Sequence, residues 1–157
     1  MQSTRVHAFI LALVTATTVW GMDTPKPEPK EPKDPALEQA RAALGRQDWM
    51  GAQKILREAV TRNPRDADAH NLYAYAIRKG ANSAMDVVYR HYNEALRLNP
   101  AHRAAHEYLG EAYLMSGNLP KAKEVLGQLD KLCNHACEEF SKLQQEVAAY
   151  EKQHPKP

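Results

Sequence analysis

Cys133 and Cys137 are the only cysteines of this 157-residue chain, and His135 stands between them. That spacing leaves three chemistries open. The pair can close a disulfide, remain two thiols, or join His135 around a soft ion such as Cu(I) or Zn. Two thiolates and one imidazole fall one ligand short of a zinc set, and the nearby sequence offers no fourth. An unbroken helix would hold the two Cβ atoms too far apart for a disulfide, so Asn134 is expected to break the helix there. So short a loop gains little from chain entropy, and the bond would serve to fix the angle between two helices. His102 and His106 are also four apart, which puts both on one helical face and admits a metal pair. The plainer expectation is an exposed His102 in a first turn and a His106 packed between helices, with His70 its counterpart.

Other catalytic constellations are missing from the sequence. None of the four serines, at 3, 83, 116 and 141, sits in a G-x-S-x-G elbow. The seven glycines are scattered singly, so no loop can cradle a phosphate, and no H-E-x-x-H occurs. Glu138 and Glu139 adjoin at an expected helix start, where the helix dipole alone accounts for them. Lys and Arg outnumber Asp and Glu by only 21 to 19, without the basic footprint of a nucleic-acid binder. A non-enzymatic protein without a cofactor is the expectation.

The elements around these residues begin with an address. Arg5 and His7 precede an apolar run from Ala8 to Trp20. It is too short to span a bilayer, which takes about twenty residues, but it fits the apolar part of a secretory signal. Residues 1–21 are read as that signal, cleaved after Gly21. The implied destination is the periplasm, or the extracellular space, and there a disulfide is the default for the cysteine pair. Thr24 to Pro35 reads TPKPEPKEPKDP, with five prolines among charges. Proline locks φ and lacks an N–H, so residues 22–35 are expected to be an extended linker.

After Pro35 the pattern turns helical and repeats itself. EAVTRNP (58–64) matches EALRLNP (94–100), and AHNLYAYA (69–76) matches AHEYLGEA (105–112), each thirty-six residues on. Small residues at Ala52, Ala59, Ala95, Gly110 and Ala122 let helices approach closely. Trp49, Leu56, Tyr92 and Tyr113 fill the space between neighbours. Asp48 and Asp66 are read as N-caps, Gly80 as a helix end and Ser83 as a helix start. Gly117 and Asn118 form a turn, with Pro120 just inside the next helix. EEFSKLQQEVAAYEK then places Phe140, Leu143, Val147 and Tyr150 on one face of a last helix, about 136–152, as a cap over an array requires. Residues 153–157 are read as a frayed tail.

This pattern resembles the tetratricopeptide repeat. Leu109, Gly110, Tyr113, Gly117, Leu119 and Ala122 stand at that family's signature spacing. So do Trp49, Ala52, Leu56, Ala59 and Pro64, and Ala74, Ile77, Tyr92, Ala95 and Pro100. The resemblance implies an all-α solenoid of three helix pairs, about 36–64, 65–100 and 101–134, with a capping helix. The run HEYLGEAYL…LDKLC-x3-CEE is similar to a group of small exported bacterial proteins of this kind.

The resemblance also implies a concave face, lined by the first helix of each unit, that holds a protein or peptide partner. Its solvent-facing positions should include Arg41, Asn71, Tyr75, Arg78, Glu107 and Glu111. The Lys and Asn pattern with which some family members clamp a peptide's terminal carboxylate is not matched. The expected function is thus non-catalytic binding of a protein in the bacterial envelope. A thiol- or metal-handling role for Cys133 and Cys137, and a structural place in a larger complex, are the alternatives.

Overall fold

The computed structural model describes residues 34–81 and 84–155. The expected signal, most of the linker and Ser83 lie outside the described residues. The chain forms α1 (Pro35–Gly45), α2 (Trp49–Arg62), α3 (Ala67–Lys79), α4 (Met85–Leu98), α5 (Arg103–Met115), α6 (Leu119–Cys133) and α7 (Glu138–Gln153). No strand occurs among the described residues, and none of their helices is long and apolar enough to cross a membrane.

Local chemistry sets where these helices begin. Asp34, Asp48, Asp66 and Asn118 each accept a hydrogen bond from a first-turn N–H, those of Ala36, Gly51, Ala69 and Lys121. Such caps contribute about 1 kcal/mol each. Pro35 is the first residue of α1 rather than the last of the linker, at a position where a missing N–H costs nothing. Asn63-Pro64 and Asn99-Pro100 follow the ends of α2 and α4, since proline disfavours helical geometry in the residue before it. Gly117, at φ +72°, makes the turn into α6.

Short links fold consecutive helices back as antiparallel neighbours. In the resulting array α1, α3, α5 and α7 form one layer, each touching the next. Helices α2, α4 and α6 form the other layer. They pack on the first layer but not on one another.

Crossing points are made of small side chains. Ala40, Ala52, Ala69, Ala74, Ala76, Ala95, Ala105, Ala112 and Ala122 have no exposed surface at all. Between them Leu56, Val88, Tyr92, Leu129 and Leu143 fill the larger gaps, also fully buried. A close approach joins α5 to α7. A Cβ built on Gly110 would stand 2.5 and 2.6 Å from the two methyls of Leu143, so glycine is what lets the last helix seat.

Candidate functional site

The residues expected on the concave face do meet there in part, but not as an exposed row. Arg41 is exposed on α1 and pairs with Asp68 of α3 at 3.0 Å. Tyr75 is half-buried, its ring 4.9 Å from that of Tyr108 and 6.2 Å from that of Trp49. Asn71, Arg78 and Glu107 were expected to face solvent and instead are buried, at 4%, 5% and 5% exposure. Helix α3 explains the difference for Asn71 and Arg78. It is packed by α1, α2, α4 and α5, so most of its circumference is interior.

Arg78 is the node of the face. Its guanidinium lies 5.5 Å from the Tyr75 ring centre and 5.7 Å from that of Tyr108, within cation–π range of both. Nε donates to the Tyr92 hydroxyl at 3.3 Å, Nη1 approaches the Met115 sulfur at 3.5 Å, and Nη2 pairs with Glu111 at 2.5 Å. Burial works against the charge, and Tyr92 and Glu111 more than restore it, so the guanidinium pKa is raised. Burial pushes the Tyr92 phenol up as well. Arg78 thus ties α3, α4 and α5 together and fixes the orientation of the two tyrosine rings.

Glu107 sits at the α5–α7 side of the same region. Burial pushes its carboxyl up to about 7, and the like charges of Glu111, Glu139 and Glu146 add to the shift while Lys142 opposes it. The concave end near α7 is therefore acidic. Tyr108, Lys142 and Glu146 belong to this region and were not singled out from sequence. Tyr108 follows Glu107 at a position where helical spacing alone does not separate a core ring from a surface one.

The histidines take structural places. His70 Nε2 lies 3.2 Å from the Pro64 carbonyl, and His106 Nε2 lies 2.9 Å from that of Pro100, the same bond one unit apart. His102 is not the exposed residue expected. Its Nδ1 accepts from Ala105 N, capping α5, and its Nε2 lies 3.0 Å from Asp68 Oδ1, leaving the side chain 10% exposed. With both ring nitrogens so placed, it does not combine with His106 as a metal pair.

The two cysteine sulfurs are joined, with the Cα atoms 5.7 Å apart. Helix α6 ends at Cys133 because Asn134 and His135 both adopt left-handed backbone, at φ +47° and +61°. His135 turns away to Asp130 at 2.8 Å and packs edge-on against Phe140. No cluster of three metal-ligating side chains occurs among the described residues.

A two-layered α-solenoid of helix pairs with an inner aromatic face defines a class of repeat protein. Tetratricopeptide-repeat family models match residues 37–83 and 83–147. The chain belongs to the tetratricopeptide repeat family, whose arrays are protein–protein interaction modules. Solved structures with the same fold include the type III secretion translocator chaperone SycD of Yersinia enterocolitica. It is 12% identical with a TM-score of 0.67, over 75% of this chain and 82% of that one. The TPR2B domain of yeast Sti1, in a complex with pHsp70, is 20% identical with a TM-score of 0.64, over 76% and 98%. SycD in complex with a peptide of the translocator YopD is 14% identical with a TM-score of 0.63, over 75% and 88%. No curated protein sequence matches the chain.

Proposed function

We propose that the chain is a non-catalytic adaptor of the bacterial envelope, exported by its N-terminal signal and held off its anchoring point by the proline-rich linker. Its concave face binds a protein or peptide partner. The observation that carries this reading is the half-buried Tyr75–Tyr108 pair, oriented by a buried arginine that Glu111 holds in place. Rigid aromatic rings offer large contact area at little entropic cost, which is the character of an interface anchor. Two proteins with this fold support a protein or peptide ligand: SycD in complex with a peptide of YopD, and the Sti1 domain in complex with pHsp70.

Crosslinked affinity capture from the native envelope tests the proposal. The natural chain is compared with Tyr75→Ala, which spares the buried Arg78. The expected result is a specific protein held by the first and lost by the second, at unchanged helical content. Equal capture by both chains would refute the concave assignment. Intact mass of the chain recovered from the envelope should place its first residue at Met22. An unprocessed chain confined to the cytoplasm would refute export.

A further inference from the structure

Helices α4 and α6 wall a groove floored by α5, on the side of the array away from Tyr75. It encloses about 720 Å³, the size range of small-ligand sites. Comparison with the preceding unit shows what is unusual about it. The corresponding groove upstream lies between α2 and α4 over α3. There His91 stacks on His70 at 5.0 Å and meets the Tyr73 ring at 4.8 Å, and Arg57 donates to the Tyr73 hydroxyl at 3.3 Å. Those side chains fill that space.

Each has a counterpart downstream. Positions in α2 and α3 recur thirty-six residues on, as Pro64 and Pro100 show, so Arg57, His70 and Tyr73 correspond to Asn93, His106 and Leu109. The α3–α4 link spans 80–84 and the α5–α6 link only 116–118, so α4 maps onto α6 thirty-four residues on. Buried Val88 and Ala95 then match buried Ala122 and Leu129, and His91 matches Val125. Asn93, His106, Leu109 and Val125 all line the 720 Å³ groove. Arginine, tyrosine and histidine have become asparagine, leucine and valine, while the histidine of the floor is kept.

That histidine defines a polar requirement. A carbonyl can only accept, so His106 Nε2 carries the proton that reaches Pro100, and in the neutral ring Nδ1 is an acceptor. Upstream, His91 meets this need at His70 Nδ1, 2.8 Å away. His106 Nδ1 is buried with no hydrogen-bond partner among the described residues. The rim has its own chemistry. Lys121 and Lys131 stand along α6 without an ion pair among the described residues, Lys121 lying 5.2 Å over the Tyr113 ring. Arg97 is engaged by Glu94 at 2.6 and 2.8 Å, and Glu124 is the one acid of the lining. Leu132 is exposed at the end of the wall.

We infer that this groove is a second binding site, which takes an aromatic side chain bearing an N–H or O–H donor, carried on an acidic segment of a partner protein. The aromatic ring replaces the mass that Tyr73 and His91 supply upstream, its donor serves His106, and the flanking acids meet Lys121 and Lys131. This inference does not depend on the concave-face reading.

The probe is an acetylated pentapeptide with one Trp between two pairs of acidic residues, titrated into the full chain by calorimetry. Two counterparts carry Leu for the Trp or Lys for the acids. Binding of the probe should exceed that of each counterpart by about tenfold, one good charge-assisted or polar contact apiece. Rebuilding the upstream filling with Leu109→Tyr and Val125→His should lower probe affinity by at least about tenfold and raise Tm, which shows that the variant folds. Lys121→Glu with Lys131→Glu, on the exposed rim, should also weaken binding about tenfold, whereas Tyr75→Ala should leave it unchanged. The proposal is overturned if the lysine peptide binds as well as the probe, or if the filled variant binds undiminished. It is likewise overturned if sedimentation shows a dimer that the filled variant abolishes, since a second copy would then be the occupant.

Discussion

The contact between Gly110 and Leu143 should behave as a coupled pair. Gly110→Ala puts a methyl 2.5 Å from Leu143, whose side chain is fully buried and has little room to yield. Overpacking of this kind costs about 1–3 kcal/mol, and the better helix propensity of alanine returns about 1. A net loss of roughly 1 kcal/mol is expected. Leu143→Ala removes a buried leucine and leaves a cavity, for a loss of about 3 kcal/mol within the usual 2–5. In the double variant the clash is gone and the new methyl occupies part of the cavity, so the loss should be about 2 kcal/mol, not about 4. Urea unfolding followed by circular dichroism, with a common slope for all four chains, reads these differences. A double variant that equals the sum of the singles within about 0.5 kcal/mol would show that α7 does not seat on Gly110.

Titration of two buried groups gives a second expectation. Glu107 has a folded pKa of about 7 against an ordinary 4.5, so its contribution is present below pH 4.5 and is lost as pH rises through 7. His91 works the other way. Burial, and then the neighbouring His70, lower it to about 4 from 6.5, so its contribution is lost as pH falls from 6.5 toward 4. His106 is depressed by burial and shares that sign. The opposed slopes partly cancel, and Glu107→Gln should expose the histidine slope, with stability climbing between pH 4.5 and 6.5. A variant whose profile matches the parent would refute the assignment to Glu107. Cys133→Ser with Cys137→Ser opens a loop of sequence separation 4, worth about 2 kcal/mol on chain entropy. Amide exchange should quicken in α7 and stay unchanged in α1–α4, and unchanged protection of α7 would contradict a role for the bond in seating that helix.

The architecture was legible because the signals that set it are local. The recurrent Asn-Pro, the Asp caps and the alanine spacing each act within one or two turns, and they agree with one another. His106 could be placed as a packed residue because its counterpart His70 sits at the same point of the repeat. The burial of Arg78 was not legible. Its partners Tyr108, Glu111 and Met115 lie thirty residues or more away on α5, beyond any periodicity within α3. His102 was misplaced for the same reason, since the Asp68 that covers it belongs to the unit before. The groove over His106 is written in the sequence, but only once two different offsets are known, and the second follows from the lengths of two loops.

The junctions between successive units are fastened in two chemically different ways. Imidazole-to-carbonyl bonds, at His70 and His106, close the first two. The passage from α6 to the cap is closed covalently, by Cys133 and Cys137. A thiol reductant that opens the third does not touch the others. Reduction therefore acts at one end of the array only: it removes the covalent hold at the start of α7 and leaves both imidazole bonds in place.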